Sequence, residues 1–148
     1  MGAEEEREKL DYVIIRQYGP GDYEALKRLY MVNWPTNPFR SFITADVIRQ
    51  QGEIIFIAEN GTEKVGSLFY TPYENQANLH SLIVRKECRK QGIAAEMLKV
   101  AQEQAEADGF AEITIEAEND DLVRYYESLG FRRNPNIERG LVKDVGAK

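Results

Sequence analysis

The hydrophobic pattern of the chain changes its period past the middle of the sequence. Residues 54–58, 64–70 and 77–84 are rich in β-branched and aromatic side chains, which predicts three strands. Over residues 93–105, apolar side chains recur every three or four positions, which predicts a helix. The apolar side chains of such strands are buried when a helix or a second sheet packs on the sheet that the strands form. The pattern therefore predicts an α+β architecture.

Turn residues and shorter patterns predict the remaining elements. Asn60-Gly61, between the first two of these strands, is typical of a hairpin. The turn at residues 19–22 predicts a helix that begins with Asp22 as its N-cap. The other predicted elements are a first strand at residues 12–16, a second helix from 44 or 45 to about 51, a strand around 113–115, a helix at 120–129 and two short strands within 131–144. The fold class is thus a mixed, mostly antiparallel sheet of about seven strands flanked by about four helices.

Length, charge and cysteine content limit the class of protein. A chain of 148 residues is expected to form one domain, here over residues 11–148, after a flexible acidic tail at residues 1–10. The net charge of −6 argues against nucleic-acid binding, which needs a basic face. No apolar run is long enough to predict a membrane span. Because Cys88 is the only cysteine, an intramolecular disulfide is excluded, and we expect a cytoplasmic protein.

The most informative segment, residues 82–94, combines a strand end, a basic loop and a helix start. The first turn of a helix presents unpaired backbone N–H groups and a partial positive charge, which suit a phosphate. Gly92 lets a ligand approach the backbone, and Ala94 adds little bulk. The loop carries four basic side chains: Arg85, Lys86, Arg89 and Lys90. Its composition alone also fits a solvated basic loop before an ordinary helix.

Two segments of the sequence resemble motifs of the GNAT superfamily of acyl-CoA-dependent N-acyltransferases. Residues 89–94, Arg-Lys-Gln-Gly-Ile-Ala, resemble its pyrophosphate loop, Arg/Gln-x-x-Gly-x-Gly/Ala. Residues 119–131 resemble its Asn-x-x-Ala-x-x-Leu/Phe-Tyr-Glu-x-x-Gly-Phe segment, with Leu122 and Tyr125 as apolar departures. The motifs stand in the family's order, separated by one helix and one strand. The resemblance implies the GNAT fold and transfer of an acyl group from coenzyme A.

The resemblance implies acetyl-CoA as the co-substrate. No metal is expected, because one histidine and one cysteine cannot build a cluster of ligands at metal-binding spacing. Backbone N–H groups of residues 91–95 would hold the pyrophosphate, and backbone groups of Ile83 and Val84 would pair with the pantetheine arm as an added strand does. Asn119 would either bind this arm or cap the helix that begins at Asp120. The expected cofactor-binding residues are Ile83, Val84, Arg89, Lys90, Gln91, Gly92, Ile93, Ala94, Ala95 and Asn119.

The resemblance places Tyr126 at the family's general-acid position. A tyrosine hydroxyl has a pKa of about 10, so it is protonated at neutral pH and can donate a proton. Adjacent helix residues point about 100° apart, so only one of Tyr125 and Tyr126 is expected to face the cofactor sulfur. For the base three alternatives stay open: Glu116, His80 and water. His80 also fits a purely structural role.

Two functional hypotheses follow. The first is an N-acetyltransferase that acts by direct attack of an amine: a protein N-terminus, a lysine or a small molecule. The alternative is a non-catalytic acyl-CoA-binding or regulatory domain on the same fold. Tyr126 favours the enzyme, because binding alone does not need an acid. The resemblance places the acceptor site beside residues 34–42, and a homodimer is left open.

Overall fold

The computed structural model describes residues 13–33 and 53–146, which form one sheet and the helices on its two faces. The seven strands are β1 (Val13–Gln17), β2 (Ile54–Asn60), β3 (Glu63–Tyr73), β4 (Gln76–Val84), β5 (Glu112–Glu116), β6 (Arg132–Arg133) and β7 (Gly140–Asp144). The α-helices are α1 (Tyr23–Asn33), α2 (Ile93–Ala107) and α3 (Asp120–Ser128). Two 3-10 turns, Pro20–Asp22 and Lys86–Cys88, precede α1 and α2.

The strands lie in the order β1-β2-β3-β4-β5-β7-β6. Only the β4–β5 pair is parallel among the described strands, and its crossover connection contains α2. The predicted mixed, mostly antiparallel sheet of seven strands is confirmed. The sequence predicts about four helices, and three α-helices lie within the described residues. The predicted tail, the second helix and the connection at 34–42 lie outside them.

The β2–β3 hairpin turns where Asn60-Gly61 predicts it. Asn60 pairs with Glu63, and Gly61 adopts a φ of +63°, a conformation that glycine reaches without a steric penalty. The strands of this hairpin and of the following β4 are longer than predicted, and β3 reaches Tyr73. Local pattern locates the turn, whereas pairing across the sheet extends the strands beyond their apolar centres.

The two faces of the sheet carry separate apolar clusters. On β2, Phe56 and Ala58 belong to the larger cluster with Met97 of α2, and Ile55 and Ile57 belong to the smaller one with Leu26 of α1. We call these the α2 face and the α1 face. Strand residues alternate between faces, so the all-apolar run of β2 is explained by helices on both sides.

A bulge and an early end of strand pairing open the sheet beside β4. The β3–β4 register shifts between the pairs Ser67–Ile83 and Phe69–His80, which leaves one additional residue in β4. Ser81, inside this bulge, has a φ of +53°. The β4–β5 pairing ends at Leu79–Ile115, although β4 continues to Val84. The two strands therefore diverge, and a groove forms between them.

Candidate active site

A groove with a volume of about 860 Å³ lies where β4 and β5 diverge. Its walls are the second half of β4, the loop and first turn of α2, the end of β5 and the first turns of α3. The predicted site residues that line it are His80, Ile83, Val84, Arg89, Lys90, Gly92, Ile93, Ala94, Glu116, Asn119 and Tyr126. The structure thus brings both sequence motifs and both candidate bases to one groove, although the sequence separates His80 from Tyr126 by a helix and a strand.

Two predicted cofactor-binding residues do not line this groove in the structure. Gln91 is exposed on the loop. Ala95 lines a separate cavity of about 160 Å³ between α2 and Phe131. The prediction for both residues concerns their backbone N–H groups, which the positions of the side chains do not test. Binding of the pyrophosphate by these N–H groups therefore stays a prediction.

The first turn of α2 forms an open end with unpaired donors. Gly92 is the N-cap, with φ +85° and ψ 7°, and no side chain caps the helix. Lys90 also has a positive φ, +64°, so the chain curls tightly before α2. A Cβ at Gly92 would meet nothing within 4 Å, so the glycine serves the backbone conformation and not a tight protein contact. The uncapped N–H groups, together with the helix dipole, suit an anion.

The basic side chains before α2 have different roles. Arg85 is paired with Glu63 at 2.8 Å and with Glu87 at 3.3 Å. Arg89 donates from Nε to the Val84 carbonyl at 3.0 Å and from Nη2 to Asn33 Oδ1 at 3.1 Å. Arg89 therefore links β4 to the end of α1 across the groove, a contact that the sequence does not predict.

The β3–β4 register corrects the expectation that the backbone of Ile83 pairs with the pantetheine arm. Arg85 N–H donates to the Val65 carbonyl at 2.8 Å, within the β3–β4 ladder. Backbone groups alternate in direction along a strand, so Ile83 also directs its groups to β3, where it pairs with Ser67. Val84 directs its carbonyl to the open edge, and Arg89 contacts it there. Val84 can therefore present backbone to a ligand in the groove, whereas Ile83 cannot.

Tyr126 is a buried side chain on the groove wall. It is 3% exposed and packs beside Tyr125 and Phe131, with ring centroids 5.7 and 6.0 Å away. Burial, together with the nearby Tyr125 and the charge of Glu118, raises the pKa of Tyr126 to about 12. The hydroxyl therefore keeps its proton throughout the physiological range. Tyr125 also lines the groove, and which of the two hydroxyls faces the cofactor sulfur stays a prediction.

The two candidate bases lie on the opposite face of the sheet from Tyr126. Leu79 and Ile115 form the last β4–β5 pair and belong to the α2-face cluster, as Tyr126 does. The next residues along each strand, His80 and Glu116, therefore point to the α1 face. His80 packs on Phe69 at 5.2 Å, and burial lowers its pKa while Glu53 raises it. Glu116 is exposed.

Asn119 caps α3, which was one of its two expected roles. Its Oδ1 accepts a hydrogen bond from the backbone N–H of Leu122 at 2.9 Å. The residue also lines the groove, and its amide NH₂ can still donate to a ligand.

Several residues of the groove have no signal in the sequence. Asn33, Ser81 and Asp121 line it, and so does Cys88, which is a buried residue of the larger apolar cluster. No group of three or more potential metal ligands occurs within residues 13–33 and 53–146. None of the described helices is long and apolar enough to span a membrane.

The groove combines the unpaired edge of β4 with the uncapped start of α2. These two features are typical of a protein that binds an elongated anionic ligand. Comparison with known proteins assigns the family. The model of the acetyltransferase (GNAT) family matches residues 23–131, and this chain belongs to that family.

Related proteins agree with this assignment. N-acetyltransferase 8B of Homo sapiens is 29% identical over 101 residues, which cover 63% of this chain and 44% of that protein. This chain thus matches less than half the length of that relative. The structure is similar to Ard1 from Thermoplasma volcanium, with a TM-score of 0.76, 18% identity and coverage of 91% of this chain and 99% of that chain.

A second solved structure is the PaiA N-acetyltransferase from Thermoplasma acidophilum in complex with coenzyme A. Its TM-score is 0.71 at 15% identity, and the match covers 93% of this chain and all (100%) of that chain. At these identities the likeness to both solved structures shows the fold alone.

Proposed function

We propose that this protein transfers the acetyl group of acetyl-CoA to an amine by direct attack. The observation that carries the proposal is the groove itself, which joins an anion-binding helix start to a buried tyrosine hydroxyl. Membership of the acetyltransferase (GNAT) family supports the same reaction. We propose a single domain over residues 11–148 after a flexible tail at residues 1–10.

Acetyl-CoA supplies an activated acetyl group as a thioester and carries a pyrophosphate that needs positive partners. Backbone N–H groups at residues 91–95 would hold the pyrophosphate, helped by Lys90. The open edge of β4 at Val84 would pair with the pantetheine arm once Arg89 releases the Val84 carbonyl. The donor amide of Asn119 can reach the same arm from the other wall. The donor set therefore fits this co-substrate.

Tyr126 would protonate the leaving thiolate. Its pKa of about 12 keeps the hydroxyl protonated, and its burial keeps water away from the donor. A hydroxyl of high pKa is a weak acid, so its proton moves to the sulfur only as the thioester bond breaks and negative charge develops there. Tyr126 thus acts as the general acid on the α2 face.

The acceptor amine would approach from the α1 face, where His80 and Glu116 lie. An alkylamine has a pKa of about 10.4, so a base or water must remove one proton before attack. In direct attack the amine adds to the acetyl carbonyl carbon and the tetrahedral intermediate then expels the thiolate, so the base beside the amine and the acid beside the sulfur are two separate groups. A protein N-terminus, a lysine side chain and a small-molecule amine all satisfy this chemistry.

We also propose a cytoplasmic location, because the single cysteine of the chain excludes an intramolecular disulfide.

The test is a panel of these three amine classes, with thiol release from acetyl-CoA as the readout and a no-amine control. Acetylation of at least one class, absent in the control, is expected. Calorimetry with coenzyme A on the same sample separates the alternatives. Binding without turnover of any amine would favour a non-catalytic acyl-CoA-binding domain, and absence of both would reject the site.

A further inference from the structure

His80 belongs to a hydrogen-bonded chain of four side chains from three strand regions. Its Nε2 lies 2.8 Å from Thr71 Oγ1 of β3, and its Nδ1 lies 3.2 Å from Ser81 Oγ in the β4 bulge. Thr71 Oγ1 donates in turn to Glu53 Oε1, just before β2, at 3.3 Å. His80 and Ser81 line the groove, whereas Thr71 and Glu53 lie behind them.

Only one arrangement of hydrogens satisfies all three contacts when His80 is neutral. An ionised carboxylate only accepts, so Glu53 takes the single hydroxyl hydrogen of Thr71. Thr71 Oγ1 must then accept from His80 Nε2–H. A neutral imidazole carries one N–H, so Nδ1 is left as an acceptor for the hydroxyl of Ser81.

We propose that Glu53 and Thr71 hold His80 in its Nε2–H tautomer, and that Ser81 relays the acceptor's proton to His80 Nδ1. This proposal rests on the proposed function and deepens it, because it assigns the base. His80 and Ser81 are the groups that move the proton. Thr71 and Glu53 are positioning residues, since they act through His80.

The relay balances as two coupled proton transfers. An ammonium N–H bond of the acceptor breaks as a new O–H bond forms on Ser81 Oγ. The original Ser81 O–H bond breaks as the Nδ1–H bond forms on His80. The products are a neutral amine and an imidazolium, which then donates from Nε2 to Thr71 and from Nδ1 to Ser81. Both hydrogen bonds of the His80 imidazole, to Thr71 and to Ser81, are thus kept after the transfer.

The bulge explains why Ser81 can serve this role. In a regular strand, neighbouring side chains point to opposite faces and do not contact each other. The additional residue and the φ of +53° at Ser81 turn its hydroxyl back toward the preceding ring. A positive φ in a non-glycine residue costs free energy, and here it places a hydroxyl within 3.2 Å of the imidazole, at the wall of the groove.

The charges around His80 support a base that is neutral at rest. Burial, the larger effect, lowers its pKa, and the charge of Glu53 raises it again. The negative charge of Glu53 thus offsets part of the loss of basicity that burial causes. The other titratable side chains on the neighbouring elements are Glu63, Lys64, Tyr70 and Tyr73 of β3, Glu112 and Glu116 of β5, and Tyr23, Glu24, Lys27, Arg28 and Tyr30 of α1.

The tautomer can be measured without any substrate. Because His80 is the only histidine of the chain, untagged protein gives one set of imidazole signals in long-range ¹H–¹⁵N spectra. We expect the Nε2–H tautomer above the pKa of His80, and a titration midpoint below the ordinary value of about 6.5. A dominant Nδ1–H tautomer would overturn the proposal.

Thr71→Val tests the positioning residue, and Thr114→Val is its matched control. Thr114 is a strand threonine on the same face that accepts from Asn78 at 3.0 Å. Thr71→Val should mix the two tautomers and lower the pKa of His80, whereas Thr114→Val should leave both unchanged. An unchanged His80 spectrum in Thr71→Val would show that Thr71 does not position the ring.

Ser81→Gly tests the relay, because glycine keeps the positive φ and removes only the hydroxyl. With an amine from the panel, we expect kcat to fall roughly 10²-fold and the acidic limb of the pH–rate profile to move to higher pH. Glu116→Gln should leave that limb in place. An unchanged profile in Ser81→Gly would overturn the relay. Failure to acetylate any amine would overturn the proposed function instead, with the tautomer still decided by the spectra.

Discussion

At the scale of single residues, the groove contains two tyrosines whose surroundings differ. Tyr126 is buried between Tyr125 and Phe131, and Tyr125 is half-buried nearer the solvent. Burial raises the pKa of both hydroxyls, and for Tyr126 the value reaches about 12. Both tyrosines pack on the α2-face cluster, so the deeper burial of Tyr126 is what distinguishes it as our proposed proton donor.

Tyr126→Phe should therefore lower kcat by roughly 10²–10⁴-fold, the range for loss of a general acid. Affinity for coenzyme A should change little, because the ring and its packing remain. Steady-state kinetics with a panel amine, and calorimetry with coenzyme A, measure the two quantities. Tyr125→Phe is the matched control and should have a mild effect. A larger loss in Tyr125→Phe would transfer the acid role to that residue.

At the scale of elements, the site depends on where secondary structure begins and ends. The β4–β5 pairing ends at Leu79–Ile115, and α2 begins at Gly92 without a side-chain cap. The divergence of β4 and β5 leaves the edge of β4 unpaired. It also creates room for a ligand whose polar groups can pair with that edge. An uncapped helix start next to an unpaired strand edge provides backbone donors from two elements in one groove.

Gly92→Asp should weaken binding of coenzyme A by about tenfold or more, since a negative charge at the helix start opposes a phosphate. Calorimetry measures the affinity. Gly92→Asn is the matched control: asparagine has the same shape, tolerates a positive φ and adds no charge. Equal affinity in the two variants would mean that no phosphate lies at this helix start.

At the scale of the whole molecule, an ion network ties the N-terminal segment to the sheet. Arg16 of β1 contacts Asp22 at 2.7 Å and Glu59 of β2 at 3.0 Å, and Lys64 of β3 contacts Glu59 at 2.9 Å. The Asp22 carboxylate, which was expected to cap α1, instead accepts from Arg16 and from the Gly19 N–H. Arg16 lowers the pKa of both carboxylates, to about 2 for Glu59.

This network makes the free energy of unfolding depend on pH in the acidic range. Carboxylates with a lowered pKa in the folded state stabilise it above their ordinary pKa, and this contribution is lost as pH falls. For Glu59 the loss extends from its ordinary value of 4.5 down to about 2. Urea unfolding across this range should show stability falling toward the acid end.

Arg16→Met should lower the free energy of unfolding near neutral pH by about 1–3 kcal/mol, because it leaves the buried Asp22 without its charged partner. It should also flatten the acidic dependence. Arg132→Met, which removes an exposed pair with Asp144, should change the stability by no more than about 0.5 kcal/mol. Equal effects of the two substitutions would contradict a special role for the network.

The sequence predicts well those features that depend on neighbouring residues. The Asn60-Gly61 turn lies where turn chemistry indicates, and Gly61 has the positive φ that such a turn needs. The two motifs lead to the family that the comparison confirms. The strand order could only be inferred through that resemblance, because pairing partners such as Gln76 and Glu112 lie far apart in the chain.

What the sequence determines by itself is the set of local conformations: which segments alternate, which repeat every 3.6 residues, and where glycine must reverse the chain. Tertiary structure decides which backbone groups stay free and which side chains meet. The edge of β4 is open at Val84 and closed at Ile83 because the register with β3 uses alternate residues. Glu53, Thr71, His80 and Ser81 form one chain only because two antiparallel pairings and a bulge align them. Register is a property of the paired strands, and no single stretch of residues encodes it.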